Sequence, residues 1–166
     1  MIKWGGVELI DFVDMSFEEI KMVLEMRNNK DIKKWMYNTD DIKLDTHLKF
    51  INTLIFDISK QYFLVKKDDQ YIGVVDFTNI DNKNKECYFG LYANSFIKIA
   101  GVGRMLEEIC IKYVFDILKL YKLKLEVFAE NTRAINLYKK YKFYENDKKI
   151  VNKKEVICME LKNENR

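Results

Sequence analysis

The chain has 166 residues, 48% hydrophobic and 33% charged, the balance of one soluble globular domain and not of a disordered segment. Lys and Arg number 29 against 26 Asp and Glu, and the resulting charge of +3 is too small a surplus for a nucleic-acid binder. Three cysteines without paired spacing (Cys87, Cys110, Cys158) exclude a disulfide scaffold and a CxxC metal site, and a lone histidine, His47, excludes His-rich metal chemistry.

No apolar run reaches the ~18 residues of a membrane span, and residues 1–8 lack the apolar stretch of a signal peptide. The expected location is the reducing cytoplasm. Residues 7–13 read as a first strand. Ser16 and Glu19 form a capping-box pattern, opening a helix that carries Ile20, Val23 and Leu24 and ends at Arg27-Asn28-Asn29. A short helical stretch at 31–36 and a polar turn follow. Asp45 is the expected cap of a second helix, with Leu48, Ile51, Leu54, Ile55 and Ile58 on its apolar side. Residues 62–66, 71–77 and 86–92 read as three antiparallel strands joined by the polar turns at 68–70 and 81–85.

Beyond residue 95 the pattern changes. A loop leads to Gly101-Val102-Gly103-Arg104, then to a helix with Met105, Leu106, Ile109, Cys110, Tyr113, Val114 and Ile117 on one broad face. Leu123, Leu125 and Val127 alternate with Lys122, Lys124 and Glu126 as a strand. A helix spans 131–141, and strands at 143–144 and 156–161 close the chain around a charged turn at 152–155. The order β-α-α-β-β-β-α-β-α-β-β predicts an α/β protein with a mixed sheet: an antiparallel meander, then a crossover helix.

Two segments carry chemistry. In Lys98-Ile99-Ala100-Gly101-Val102-Gly103 two glycines turn the chain into a helix N-terminus, where unpaired amides and the dipole favour an anion. No Gly-Lys-Ser/Thr follows, so this is not a Walker A loop, and Leu106 breaks the dinucleotide fingerprint. A glycine turn before a core helix is the plain alternative. In the second segment Asn131 precedes Ala134, Leu137, Tyr138 and Tyr141 at helical spacing, which by itself also describes an amphipathic helix with an aromatic stripe.

Together, the x-x-G-x-G turn and the later N-x-x-A-x-x-L-Y-x-x-x-x-F pattern resemble the GNAT superfamily of acyl-CoA N-acyltransferases over nearly the whole chain. The resemblance implies a mixed, twisted sheet whose parallel pair splays at the cofactor site. It implies acetyl-CoA as co-substrate and no metal. The amides of Val102, Gly103 and Arg104, with Gly101 at the turn, then hold the CoA diphosphate, Lys98 is a cationic partner where Gln or Arg is usual, and Asn131 contacts the cofactor. An amide near Leu91 polarises the thioester carbonyl, and Tyr138 stands beside the sulfur. Lys142 replaces the glycine usual before Phe143.

Arg27-Asn28, Met36 and residues 47–51 resemble the branch holding ribosomal-protein and sugar-nucleotide acetyltransferases. Residues 62–65, 72–77 and 86–92 resemble members that acetylate the 4-amino group of UDP-4-amino-4,6-dideoxy-N-acetyl-β-L-altrosamine for pseudaminic acid and flagellin glycosylation. The implied partner is that UDP-amino-sugar, with no nucleic acid or membrane and with a homodimer allowed. Direct attack of the amine requires a base, a carbonyl donor and a leaving-group donor. Glu126, near the C-terminal end of its strand, is the favoured base, against a surface carboxylate paired with Lys122 or Lys124; Asp76 and Glu86 are its rivals. Tyr138 serves the leaving thiolate. Arg27 and His47 are expected to meet the nucleotide, Thr78 and Tyr92 the sugar; the alternative for Arg27 is a cation at a helix C-terminus, and for His47 an exposed helical residue. The other functional readings are an acetyltransferase of protein N-termini and an acyl-CoA-binding domain without turnover.

Overall fold

The computed structural model describes residues 1–166. Eight strands form one sheet in the order β1-β2-β3-β4-β5-β6-β8-β7. The strands are β1 (Ile2–Trp4), β2 (Val7–Asp11), β3 (Gln61–Lys67), β4 (Gln70–Asp81), β5 (Glu86–Ala93), β6 (Lys122–Phe128), β7 (Tyr144–Val151) and β8 (Lys154–Lys162). The helices are α1 (Phe17–Asn28), α2 (Lys30–Lys33), α3 (Leu44–Leu54), α4 (Val102–Lys112) and α5 (Thr132–Lys140). All neighbouring strands are antiparallel except β5 and β6. The expected mixed sheet with a central meander and a crossover helix is therefore present.

Several boundaries differ for local reasons. The glycine pair at Gly5 and Gly6, both at positive φ, folds Ile2–Trp4 back on β2, a hairpin too short to show periodicity. The first strand stops at Asp11, whose carboxylate accepts from Val13 N and starts a 3-10 turn. Asp45 does not cap α3: Lys43 holds that position, and the Asp45 carboxylate instead accepts from Thr46 N in the first turn. The helical stretch after α1 ends at Lys33, and α4 runs on into a wider π turn at Tyr113–Ile117. The Ser16–Glu19 capping box forms as read, each side chain accepting from the other residue's amide. β7 extends to Val151; it pairs with β8 but is exposed along nearly its whole length, so no apolar alternation marks it.

The sheet separates two apolar clusters. Val75, Phe77, Cys87, Phe89, Leu123 and Leu125 face α4 on one side, and Val74 and Leu64 face α1 and α3 on the other. Side chains alternate across a strand, so Asp76 and Thr78 share the α1–α3 face with Val74. Gly73 allows α4 to sit close: a Cβ there would overlap the Tyr92 carbonyl and approach Leu106 Cδ1 to 2.9 Å. The feature that positions the site is the parallel pair. β5 and β6 are in register only from Glu86↔Lys122 to Tyr88↔Lys124, and from there each continues without the other. A wedge opens between them, as expected from the resemblance.

Candidate active site

Asn94 N donates to Ile72 O at 2.9 Å, one step beyond the Gly73↔Ala93 register. In an antiparallel ladder hydrogen-bonded pairs recur every second residue, so Gly90 and Tyr92 direct their amides at β4. Leu91 therefore directs its own amide into the wedge, unclaimed by β6. That is the geometry required of a donor to a thioester carbonyl.

Below the wedge, Gly101 at φ +77 turns the chain into α4. No side chain caps this helix, so the first-turn amides of Val102, Gly103 and Arg104 are left for another acceptor. A groove of about 740 Å³ runs past them, lined by Leu91, residues 99–104, Asn131, Arg133 and Tyr138 among others. An uncapped, electropositive helix start, glycines at the bend and flanking arginines fit a diphosphate. The Asn131 carboxamide caps α5 by accepting from Ala134 N at 3.3 Å, and the residue also forms part of the groove wall. Lys98 is exposed and is not part of that wall, although Ile97 and Ile99 on either side of it are. A Cβ at Gly103 would meet only Leu137 Cδ2, at 3.7 Å, so the protein itself has room for a side chain there. Gly103→Val should therefore keep the fold and lower CoA affinity at least about tenfold, because the branch stands before the amides. Calorimetric titration with CoA checks this; unchanged affinity would move the diphosphate elsewhere.

Tyr138 projects from α5, its ring edge-on to Phe89 at 6.0 Å and tilted on Phe143 at 5.9 Å. Burial, with Glu107, Cys110 and Asp76 nearby, pushes its phenol well above the ordinary value. Its hydroxyl therefore stays protonated at neutral pH. A second cavity of about 250 Å³ lies on the far side of the wedge, and Leu91, Asn131, Ala134 and Tyr138 line both spaces. Asp76, Tyr92, Trp35, Met36 and Glu126 complete its wall. A third, outer space of about 430 Å³ continues past Thr78, Tyr88, Tyr37, Glu126 and Lys149.

Glu126 does reach the acceptor side, but it is engaged. Lys149 Nζ lies 2.8 Å from Oε1 and also meets Oε2, and Tyr37 OH donates to Oε2 at 3.3 Å. The pairing expected with Lys122 or Lys124 does not form; both ammonium groups approach Glu86 instead. Glu86 sits at the paired start of β5 and lines none of the three spaces. Arg27 donates from Nη2 to Asn38 O at 2.9 Å, while its Nη1 is buried without a partner. Burial lowers its pKa, and the charge of Tyr92 opposes that shift. His47, expected to meet the nucleotide and with an exposed helical residue as the alternative, is instead 5% exposed on α3, packed edge-on to Phe12. Burial lowers its pKa, and it lines neither acceptor space.

Lys149, Tyr37 and Trp35 were not legible as site residues. Lys149 sits on a strand without apolar alternation, and Tyr37 lies in a turn. A signal for Asp76 was present: it is the one charged residue in the run Ile72-Gly73-Val74-Val75-Asp76-Phe77.

Known proteins share this arrangement. The family model described as "Acetyltransferase (GNAT) family" matches residues 25–143. A curated relative, acetyltransferase PseH of Campylobacter jejuni, is 43% identical over 144 residues, covering 86% of this chain and 88% of that one. The crystal structure of Campylobacter jejuni N-acetyltransferase PseH in complex with acetyl coenzyme A superposes with a TM-score of 0.77 at 36% identity, over 95% of this chain and 99% of that one. Spermidine N-acetyltransferase from Vibrio cholerae, solved with CoA and spermine, has a TM-score of 0.85 at 22% identity, over 96% and 97% of the two chains, a likeness of fold. With most of its length matched, its wedge open and its glycine turn uncapped, the chain belongs to the GNAT family of acetyltransferases.

Proposed function

We propose that the protein transfers acetyl from acetyl-CoA to the 4-amino group of UDP-4-amino-4,6-dideoxy-N-acetyl-β-L-altrosamine, in pseudaminic acid biosynthesis. The observation that carries the transfer is the shared wall: Leu91, Asn131, Ala134 and Tyr138 border both the diphosphate groove and the acceptor cavity. A thioester lying along the groove then meets an amine from the other side, with no enzyme nucleophile needed. The three cysteines support this indirectly: Cys87 and Cys110 are buried, Cys158 is partly buried, and burial raises all three thiols.

The Leu91 amide holds the carbonyl oxygen as it gains charge, and the Tyr138 hydroxyl donates to the departing sulfur. On the acceptor side, Trp35, Tyr88 and Phe89 offer aromatic surface to a sugar or base, with Thr78 beside them. Lys149 supplies positive charge on the wall of the outer space, while Arg27 lines neither acceptor space and keeps a buried, unpartnered Nη1. The relatives named PseH support the sugar-nucleotide assignment. No helix is long and apolar enough to cross a membrane.

Purified protein is incubated with acetyl-CoA and, separately, the UDP-amino-sugar, spermidine and a peptide with a free N-terminus, and thiol release is followed. Rapid release with the sugar nucleotide alone is expected. Release with the peptide or spermidine alone would replace this acceptor, and CoA binding without release to any amine would favour a domain that does not turn over.

A further inference from the structure

We propose that Asp76, on β4, is the group that takes the proton from the acceptor's ammonium, and that Glu126 holds the acceptor instead of deprotonating it. The inference rests on the acetyl-transfer reading above. Asp76 faces the acceptor side of the sheet, in line with Tyr62 on β3 and Gly90 on β5. It lines the cavity that shares its wall with the cofactor groove. Its carboxylate makes no hydrogen bond or ion pair with the protein, in contrast to Glu126, which is occupied by Lys149 and Tyr37. No lysine or arginine lines this cavity.

Gly90 is the second observation. A Cβ there would stand 2.8 Å from Asp76 Oδ2 and 3.3 Å from Oδ1. The residue has no need of glycine for its own backbone, since its φ is not in the left-handed region. Its missing side chain instead leaves a notch at the cavity floor into which the carboxylate turns. A base needs this combination: an open approach, and no fixed cation to hold it ionised.

The surroundings agree. Burial raises the Asp76 carboxyl to about 7, where a base is half deprotonated at neutral pH. The titratable and charged groups about it are Tyr62 on β3, Cys87 and Tyr92 on β5, Cys110 on α4 and Tyr138 on α5, with Glu126 on β6 along the same cavity and Arg27 of α1 beside Tyr92. Tyr62, Tyr92 and Tyr138 are all pushed upward and stay neutral. The proton count closes. Of the three ammonium protons, one passes to Asp76 before the nitrogen attacks the carbonyl carbon. A second leaves nitrogen as the C–S bond breaks and returns to Tyr138, replacing the one that its hydroxyl delivers to sulfur. The third remains on the amide, and Asp76 releases its proton to solvent with the product.

The test is the pH profile of kcat/KM. In the wild type the acid limb should fall below about pH 7. Asp76→Asn should lower kcat/KM at pH 7 by about 10²–10⁴-fold, abolish that limb and leave KM for acetyl-CoA unchanged. Glu126→Gln should raise KM for the acceptor and keep the limb. Gly90→Ala, which displaces the carboxylate without removing it, should lower kcat while the limb persists. An Asp76→Asn enzyme with the limb intact, or a Glu126→Gln enzyme without it, overturns the assignment, as does Gly90→Ala at wild-type kcat. A carboxyl-carbon NMR titration of the free protein needs no acceptor. The resonance lost in Asp76→Asn should titrate with a midpoint near about 7, and a midpoint in the ordinary carboxylate range overturns the proposal. If the sugar nucleotide is not acetylated but another amine is, with its acid limb set by Asp76, the acceptor reading fails and this one stands.

Discussion

Replacing Tyr138 by phenylalanine should lower kcat about 10²–10³-fold while leaving acetyl-CoA affinity nearly unchanged. The ring is held by edge and tilted contacts with Phe89 and Phe143, all of which phenylalanine keeps. What disappears is one hydroxyl at the junction of the two cavities. Losing one donor aimed at developing charge typically costs ~2.7–4 kcal/mol of transition-state stabilisation. Because burial pushes the phenol upward, the hydroxyl is protonated throughout the neutral range, and the loss should be the same at pH 6 and pH 8. Steady-state kinetics at both values check this. A kcat within a factor of two of the wild type would remove Tyr138 from the reaction.

The second large effect concerns stability. Glu107 lies on α4, one turn after Gly103, fully buried, with neither carboxylate oxygen bonded. Burial raises its pKa from an ordinary 4.5 to about 8. In the unfolded chain the group ionises at its ordinary 4.5, so between pH 4.5 and 8 the unfolded state binds fewer protons than the folded one. The contribution is therefore fully present below the unfolded value and lost as pH rises through about 8. Its full span is of the order of a few kcal/mol, and Asp76, raised to about 7, adds a loss of the same sign. Glu107→Met, close in volume and without charge, should raise Tm by roughly 5–10 °C at pH 8 and by much less at pH 5. Thermal melts across that range decide it: a gain that does not grow with pH would mean that Glu107 is not a neutral acid in the folded protein.

Glu107 also shows where sequence reading stops. It sits between Leu106 and Cys110 on a helix whose apolar face was otherwise plain, and a glutamate there looks like a solvent-facing residue until the fold buries it with Tyr138 nearby. The glycine turn, the capping box, the meander and the Asn131–Tyr138 helix were all legible because their signals are local: spacing, a cap, a bend. The missed parts are non-local. The ion pair of Glu126 joins β6 to β7, two strands that both border β8, and no periodicity announces it. The burial of His47 depends on Phe12, far away in sequence. Asp76 is intermediate: an acid within an apolar strand was visible, but its advantage over Glu126 comes from Gly90 across the ladder and from Lys149, which occupies the competitor.

The account depends most on where coenzyme A lies. A crystal of this protein soaked with acetyl-CoA should show the diphosphate within hydrogen-bond distance of the amides of Val102, Gly103 and Arg104, the thioester carbonyl against the Leu91 amide, and the sulfur beside the Tyr138 hydroxyl. Density for the coenzyme on another face, or a diphosphate that passes the α4 N-terminus without touching it, would contradict it.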